Sequence, residues 1–441
     1  MMKRILCVAP MMITVAVPHA SAQWEFANGK MWLTSEARAR VEWRAQNTTF
    51  NNDTGANDDD WFLLTRLRFG LGAKPVDWFH LYGELQDSRE IDSRRTNLEE
   101  DTLDWRVGWF RLGDGQNVPL MLTVGRQLLS YGEERLIGTF DWNNVGRRFD
   151  AIKLRWQPAE YPGWVDFFAA NVVVNDDNHF DDKADWADDF FGLYGRSEHL
   201  DKHVVEAYAL FRDKDDAVFA GAARQIYTLG ARLESKPVLK PWDYWIELAG
   251  QFGHVQSPGG QFGETNRAWA THAAFASTIG AGYTFTNVVW QPRVALEYAF
   301  ASGDDDPGDG DSGTFDNLYP TNHKFYGFMD LFAWKNIHNA HALLSVQPHR
   351  QVKVQLDGHL FWLAEKQDAW YRAGGGAIRR DSTGAAGRFV GSEIDLTVWY
   401  NPHKRLSFLA GYSHFFSGSF VEDTGAGDDA DFFYIQTTLR L

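Results

Sequence analysis

The sequence predicts an all-β fold, a transmembrane antiparallel β-barrel of about eighteen strands with short periplasmic turns and long extracellular loops. Runs of residues that alternate between apolar and polar positions recur along the chain, as in strands with one lipid-facing and one wet face. The connections between these runs alternate between tight turns and long polar loops. After residue 22 there is no apolar run of about eighteen residues, which excludes a membrane protein built from helices.

The N-terminus carries the pattern of an export signal. Lys3 and Arg4 form a basic start, an apolar run follows, and Ala20-Ser21-Ala22 matches the small-residue cleavage pattern. We expect residues 1–22 to be a cleaved signal peptide and residues 23–441 to form the barrel. An N-terminal membrane anchor is the weaker alternative, because the apolar run is short and interrupted by a proline.

Residues 31–45 are the clearest strand. Its odd positions are mostly apolar and never charged. Its even positions include five charged residues: Glu36, Arg38, Arg40, Glu42 and Arg44. Because side chains on a strand alternate between its two faces, one face suits lipid and the other suits a wet lumen.

The same alternation continues to the end of the chain and gives about eighteen strands in total. An even number is what single-chain bacterial barrels require. Sixteen is the alternative, because strand boundaries read from a sequence vary by several residues. The further runs span residues 61–74, 78–88, 102–112, 120–129, 147–157, 164–174, 190–196, 203–212, 221–234, 242–255, 268–286, 290–302, 337–347, 351–364, 389–400, 406–417 and 431–441.

Connection lengths separate a membrane barrel from a soluble sandwich. With a periplasmic N-terminus, every tight turn falls on the periplasmic side and every long loop on the extracellular side. The tight turns include residues 75–77, 197–202, 287–289, 348–350 and 401–403. The long loops are residues 47–60, 89–101, 130–146, 175–189, 303–336 and 365–388.

The longest connection, residues 303–336, is expected to have a role of its own. Loops of about 34 residues are usually functional or disordered, and the aromatic residues of its second half disfavour disorder. We expect that half to fold into the barrel and narrow the lumen.

Aromatic content and the last strand indicate the surroundings of the barrel. The 19 tryptophans and 15 tyrosines suit girdles at the two membrane interfaces. Residues 431–441 resemble the C-terminal assembly signal of outer-membrane proteins. The expected partners are outer-membrane lipid and lipopolysaccharide, the barrel assembly machinery, and an anionic solute or polysaccharide. A net charge of −16 argues against nucleic acid.

Two sequence blocks resemble the alginate-export family. The first contains Gly125-Arg126-Gln127, Ser130-Tyr131-Gly132, Arg135-Leu136-Ile137-Gly138, Asp141-Trp142-Asn143-Asn144 and Arg147-Arg148-Phe149-Asp150, and the second runs from Gly313 to Phe332. The resemblance covers essentially the whole chain after the signal. It implies an outer-membrane barrel of about eighteen strands that passes the anionic polysaccharide alginate through an arginine-rich lumen.

One departure from the family pattern bears on gating. The resemblance implies that the exporter proper plugs its pore with a long periplasmic turn near the C-terminus. At that position this chain has the short turn Asn401-Pro402-His403. The departure weighs against gated alginate secretion but not against a porin of this family.

Charged side chains on the polar faces are expected to line the pore and guide a substrate. Arginine outnumbers lysine about two to one, and its guanidinium pairs with carboxylates through two hydrogen bonds. Rings of arginine and lysine suit a pathway for anions. The alternation places twelve such residues: Arg38, Arg40, Arg44, Arg66, Arg68, Arg106, Lys153, Arg155, Arg232, Arg293, Glu36 and Glu42.

Four of these arginines lie on adjacent strands and are expected to form one positive wall: Arg38, Arg40, Arg66 and Arg68. Glu36 and Glu42 share this face, so a water-filled lumen whose charges cancel is the alternative. Residues of the opposite parity are expected to face lipid, where a charge is costly: Leu33, Val41, Leu67, Phe69, Ile152 and Leu154.

The sequence predicts no catalytic residue, cofactor or resident metal. Acidic stretches such as Asp181-Asp182 offer carboxylates for Ca²⁺, but residues 304–316 fail the EF-hand spacing and a solvated loop face is favoured. Gly310-Asp311-Ser312-Gly313 mimics part of a serine-protease signature without supporting partners.

Three function classes follow. The leading one is an outer-membrane porin that passes anionic solutes or an alginate-like polysaccharide, with a general or carbohydrate-uptake porin as its alternative. The second is an enzyme within an outer-membrane barrel, which would need a serine–histidine pair at one rim. The third is a secreted, soluble carbohydrate-binding β-protein, but a soluble fold does not explain why short turns alternate with long loops.

Overall fold

In the computed structural model the last strand pairs with the first long strand, so that the sheet closes on itself. The register runs from Glu36 opposite Arg440 to Ala45 opposite Asp431. The structure describes residues 24–53, 58–95, 99–115, 118–176, 178–215, 223–236, 238, 241–256 and 269–441. The expected signal peptide lies outside the described residues. The predicted barrel of eighteen antiparallel strands is confirmed.

Among the described residues, eighteen strands form the barrel wall and four short strands lie beside it. The wall strands are β2 (Met31–Ala45), β3 (Asp60–Val76), β4 (Phe79–Ile91), β5 (Asp101–Leu112), β6 (Leu120–Gln127), β7 (Phe149–Trp156), β8 (Gly163–Val174), β9 (Lys183–Ser197), β10 (His203–Lys214), β11 (Arg224–Ser235), β12 (Trp242–Gln256), β13 (Trp269–Thr284), β14 (Arg293–Ala301), β16 (Ile337–His349), β17 (Val352–Trp362), β20 (Phe389–His403), β21 (Leu406–Ser417) and β22 (Ala430–Arg440). The short strands are β1 (Trp24–Phe26), β15 (Asp311–Ser312), β18 (Ala369–Tyr371) and β19 (Ala377–Arg380).

Two short helical elements have both ends within the described residues. One is a 3-10 helix, Asn322–Lys324, and the other is α1, Ser419–Thr424. Neither of these helices, nor any other in the described part of the chain, is long and apolar enough to cross a membrane.

The two faces of the wall strands separate as the alternation predicts. Leu67, Phe69 and Ile152 expose 59%, 55% and 56% of their surface on the outside of the barrel. Val41 and Leu154 are also exposed. An apolar outer belt of this kind is stable only against hydrocarbon, since water would leave it unpartnered. The predicted lipid-facing parity is confirmed at these five positions, whereas Leu33 is only half-buried.

The connections differ in length between the two ends of the barrel. At the short-turn end, Lys404 and Arg405 alone join β20 to β21. At the long-loop end, one predicted boundary is wrong, because β9 begins at Lys183 and not at residue 190. Its first half is rich in aspartate, which is typical of a loop. Here an aspartate faces the lumen, where Asp188 accepts two hydrogen bonds from Arg212 at 2.8 and 2.6 Å.

At the long-loop end, two of the described connections fold into the lumen and contact each other. Residues 128–148 link β6 to β7 and are named inner segment 1; residues 302–336 link β14 to β16 and are named inner segment 2. Buried aromatic side chains of inner segment 2 pack inside the barrel, including Phe315, Tyr326 and Trp334. The predicted inward fold of the second half of residues 303–336 is therefore confirmed. The inward fold of inner segment 1, which the sequence places in an extracellular loop, was missed.

The two inner segments contact each other in the middle of the barrel. Tyr319 N donates to Leu136 O at 2.9 Å, and Gly138 N donates to Tyr319 O at 2.8 Å. The ring of His323 stacks on that of Trp142, with centroids 3.9 Å apart. Together the two segments form a bridge across the lumen.

Candidate transport path

The arginines predicted to form a positive wall do lie together, and they contact inner segment 1. We name the six arginines of β2, β3 and β5 the arginine wall: Arg38, Arg40, Arg44, Arg66, Arg68 and Arg106. Asp141, in the inner segment, accepts from Arg68 Nη2 at 2.8 Å and from Arg66 Nη2 at 3.2 Å. Arg66 also donates to Glu36 Oε1 at 2.6 Å. The sequence-predicted residues therefore meet a carboxylate that sequence reasoning did not place there.

Arg38, Arg40 and Arg44 are held by backbone carbonyls and a shared glutamate, and Arg106 pairs with Glu84 at 2.5 Å. Arg38 Nη1 donates to the carbonyl oxygen of Asp141 at 2.8 Å, and Arg40 Nη1 donates to that of Trp142 at 2.7 Å. Glu42 accepts from Arg40 at 2.6 Å through one oxygen and pairs with Arg44 at 2.8 Å through the other. The Arg40 guanidinium also lies 3.9 Å from the centroid of the Trp142 ring.

These contacts leave little positive charge for a solute. Arg40 is fully buried and Arg66 is 1% exposed. Partial burial alone would raise the pKa of the Asp141 carboxyl, but the facing guanidinium groups of Arg66, Arg68 and Arg106 hold that pKa well below its usual range. The interpretation in which lumen charges cancel therefore fits this wall better than that of free positive charge. Its guanidinium groups hold inner segment 1 through the Asp141 carboxylate and the carbonyl oxygens of Asp141 and Trp142.

Two later predicted residues are also paired. Arg232 of β11 pairs with Glu206 at 2.7 Å and also contacts Glu234. Arg293 of β14 forms two hydrogen bonds to Asp243, at 3.1 and 2.5 Å. Like the arginine wall, both sites balance their cation with a neighbouring carboxylate.

A different pattern occurs toward the short-turn end, on β5 to β8. Arg111, Lys153 and Arg155 face the lumen there, with Asp166 as their nearby carboxylate. Arg155 binds both oxygens of Asp166 at 2.6 and 2.8 Å, while Lys153 Nζ lies 3.9 Å from Oδ2. We name these four residues, with Thr123 between the strands, the basic patch. It holds three cations against one carboxylate.

The basic patch is reachable from the lumen. The side chains of Lys153 and Arg155 are 19% and 28% exposed, against 0% for Asp166. Tryptophan rings flank the patch: the Arg155 guanidinium lies 4.1 Å from the Trp164 ring centroid, and that of Arg111 lies 4.9 Å from Trp109. The rings keep these cations extended along the wall, because a guanidinium stacks favourably on an aromatic face.

Arg111 belongs to the basic patch but was missed by the alternation. Strand β5 carries an extra residue near Arg106, where its pairing with Glu84 and Leu85 of β4 shifts by one. A bulge of this kind exchanges the two faces of the strand beyond it. Arg106 faces the lumen on an even position, and Arg111 faces it on an odd one. Two adjacent buried positions, Arg106 and Val107, mark the exchange, but only in the structure.

One group of carboxylates has spacing suited to a metal ion. Oxygens of Asp104, Asp181 and Asp182 lie within 4.8 Å of one another. Two guanidinium groups already serve this group, since Arg148 contacts Asp182 and Arg126 lies 3.8 Å from Asp104. Ca²⁺ binding by acidic loops was the disfavoured interpretation of the sequence, and these three residues are the place to test it.

Comparisons with known proteins bear on the fold and the family. A family model described as alginate export matches residues 32–434. No curated protein matches the chain by sequence. Solved structures similar to the chain include Pseudomonas aeruginosa OccD3 (OpdP), at 11% identity and a TM-score of 0.59 over 95% of this chain and 93% of that one.

Two further structures show the same likeness. Acinetobacter baumannii OccAB1 has 11% identity and a TM-score of 0.60 over 93% of this chain and 96% of that one. Pseudomonas aeruginosa OpdK, solved with vanillate, has 12% identity and a TM-score of 0.55 over 93% and 98%. At such identities the likeness concerns the fold alone.

Proposed function

Because the chain belongs to the alginate-export family, we propose that this outer-membrane barrel is a passive channel that prefers anionic solutes. The observation that carries the proposal is the basic patch, where three lumen-facing cations meet one carboxylate. Unbalanced positive charge attracts anions over about one Debye length, roughly 10 Å at 0.1 M salt. Solutes confined by the inner segments pass within that range.

Carboxylates are the solutes that this channel is proposed to favour. Guanidinium groups match the two oxygens of a carboxylate, and uronate units of an acidic polysaccharide carry the same group as small organic acids. The vanillate in the OpdK structure is also a carboxylate, in a barrel of the same fold. We favour small solutes over a polymer, because two inner segments bridge the lumen.

The channel is proposed to stand open at its periplasmic, short-turn end. The turn between β20 and β21 consists of two residues, which is too short to reach into the lumen. Selection among solutes then depends on the charge of the lumen and on the inner segments, and not on a plug from this periplasmic turn.

The experiment is a reversal-potential measurement on the refolded full chain in planar bilayers under a KCl gradient. We expect a potential that reports preference for chloride. Potassium glucuronate in place of KCl should still carry an anion current. A channel that prefers potassium would overturn the proposed function.

A further inference from the structure

We propose that Arg111, Thr123 and Lys153 form a saturable binding site for the carboxylate group of a permeating solute. The proposal rests on the proposed function, since it assigns a discrete stopping point on the same path. The three residues lie directly opposite one another on β5, β6 and β7: Arg111 pairs in register with Thr123, and Thr123 with Lys153. No contact with either inner segment occupies this row among the described residues.

The register places the three side chains at a useful spacing. Neighbouring strands lie about 4.8 Å apart, so the Arg111 and Lys153 backbones are separated by roughly 10 Å. Long side chains on either side of that gap reach a single bound group between them. Thr123 stands at the centre and is 5% exposed. Its Oγ1 accepts from Arg111 Nε at 3.2 Å, which leaves the hydroxyl proton able to donate to an anion.

Among the described residues, the two cations of the row share one nearby carboxylate, Asp166. In the described part of the chain, Asp166 is the one carboxylate within 4.0 Å of Lys153, with its Oδ2 3.9 Å from Nζ. That carboxylate is already engaged, because it binds Arg155 through both oxygens and accepts from Tyr131 Oη at 2.8 Å. Among the described residues, no carboxylate pairs with the Arg111 guanidinium. An entering anion would supply the missing charge.

The donor set favours a carboxylate over a halide. An arginine fork and a hydroxyl offer directed hydrogen bonds, and a carboxylate has two oxygens to receive them. Chloride is attracted by the same positive charge, but a single spherical ion does not match the directions of these hydrogen bonds. The row therefore distinguishes bound carboxylates from ions that are merely attracted into the lumen.

The test uses interruption of the chloride current by glucuronate added to the short-turn side of single channels in planar bilayers. We expect half-maximal block to need about tenfold more glucuronate in Arg111→Gln and in Lys153→Gln, because each loses one charge-assisted contact. Thr123→Val, which removes only the hydroxyl, should need severalfold more. Arg111→Lys keeps the charge but loses the fork, and should fall between wild type and Arg111→Gln.

Lys353→Gln is the matched control. Lys353 is another cation at the short-turn end and lies on β17, outside the row. Its Nζ is 4.8 Å from the centroid of the Trp399 ring. This variant should lower chloride preference as any lost charge does, while half-maximal block changes less than twofold. An equal loss of block in Lys353→Gln would overturn the site but leave the anion preference standing. Unchanged block in the row variants, with normal KCl conductance as proof of folding, would also overturn it.

Two probes define what the site reads. Acetate should block at a concentration within about tenfold of that for glucuronate if the carboxylate alone is recognised, and glucose should not block. Block by glucose equal to that by glucuronate would show that the site does not depend on charge, and would overturn the proposal.

Discussion

The arginine wall and the basic patch are both lumen-facing clusters of cations, yet their charges serve different ends. In the wall, five of the six guanidinium groups lie within 4.0 Å of a carboxylate, and the five carboxylates are Glu36, Glu42, Glu84, Glu99 and Asp141. The sixth, Arg38, donates to carbonyl and amide oxygens. In the patch, a single buried carboxylate faces three cations that remain partly exposed. The number of arginines on a lumen face therefore does not measure the unbalanced charge that a solute meets. What matters is whether the fold has already supplied a counter-ion.

The largest effect is expected when cations are removed from the wall. In Arg66→Gln combined with Arg68→Gln, Glu36 and Asp141 lose their main partners, and losing one side of a buried ion pair costs about 3–5 kcal/mol. We expect unfolding in urea from lipid vesicles to occur at lower urea concentration. Inner segment 1 should also leave the wall, which raises single-channel conductance.

The conservative pair Arg66→Lys with Arg68→Lys serves as its control, because the charges remain while the forks are lost. Its stability should lie between those of the wild type and of the glutamine double variant. A glutamine double variant with wild-type stability and conductance would show that the wall does not anchor inner segment 1.

A second test compares neighbours on β7 that face opposite ways. Ile152→Arg places a charge against lipid and should cost about 2–4 kcal/mol if the position lies near the membrane midplane. Lys153→Gln, one residue on, should change the free energy of unfolding by no more than about 0.5 kcal/mol, as for other substitutions outside the core. Equal losses in the two variants would contradict the assigned faces.

Ion selectivity also distinguishes the basic patch from cations that are already paired. Lys153→Gln removes an unbalanced charge from the basic patch and should shift the reversal potential toward cations. Arg232→Gln removes a charge that already has carboxylate partners. Any shift of the reversal potential in this variant should come from the carboxylates that are left unpaired. Measurements at 0.1 M and 1 M KCl should show the Lys153→Gln effect shrinking with salt, because screening is stronger. An effect that does not depend on salt would point away from electrostatic attraction.

The smallest expected effect is the response of the wall to acid. The folded-state pKa of Asp141 lies below the ordinary aspartate value of 3.8. Its stabilising contribution is therefore fully present above about pH 4 and is lost only as the pH falls through the lower folded value. The wall contact to inner segment 1 should thus persist between pH 7 and pH 4. Conductance steps that enlarge in this range in wild type, but not in Asp141→Asn, would contradict this assignment.

Alternation along the strands predicted the barrel and its two faces, because a period of two residues is a local property of the backbone. Leu67 and Arg68 fall on opposite faces for that reason alone. The basic patch was only partly predictable. Lys153 and Arg155 follow the alternation of β7. Arg111 lies beyond a bulge in β5, and no residue type near the bulge indicates it in the sequence.

The balance of charge in the wall was beyond reach of the sequence for a different reason. Asp141 meets Arg66 and Arg68 through a loop that folds back into the lumen, and no local pattern specifies where a long loop ends up. The block Asp141-Trp142-Asn143-Asn144 did stand out as a family resemblance. Its polar and aromatic residues prove to be the contacts of inner segment 1 with the wall.

The bridge formed by the inner segments has a mechanical consequence. It ties β2 and β3 through Asp141 to β10 and β11, where Asp316 of inner segment 2 pairs with Arg212 and Arg224. β2 and β11 are nine strands apart in a closed wall of eighteen strands. The bridge therefore connects opposite sides of the barrel along a diameter. Stretching of the barrel along that diameter is resisted by the ion pairs at both ends of the bridge.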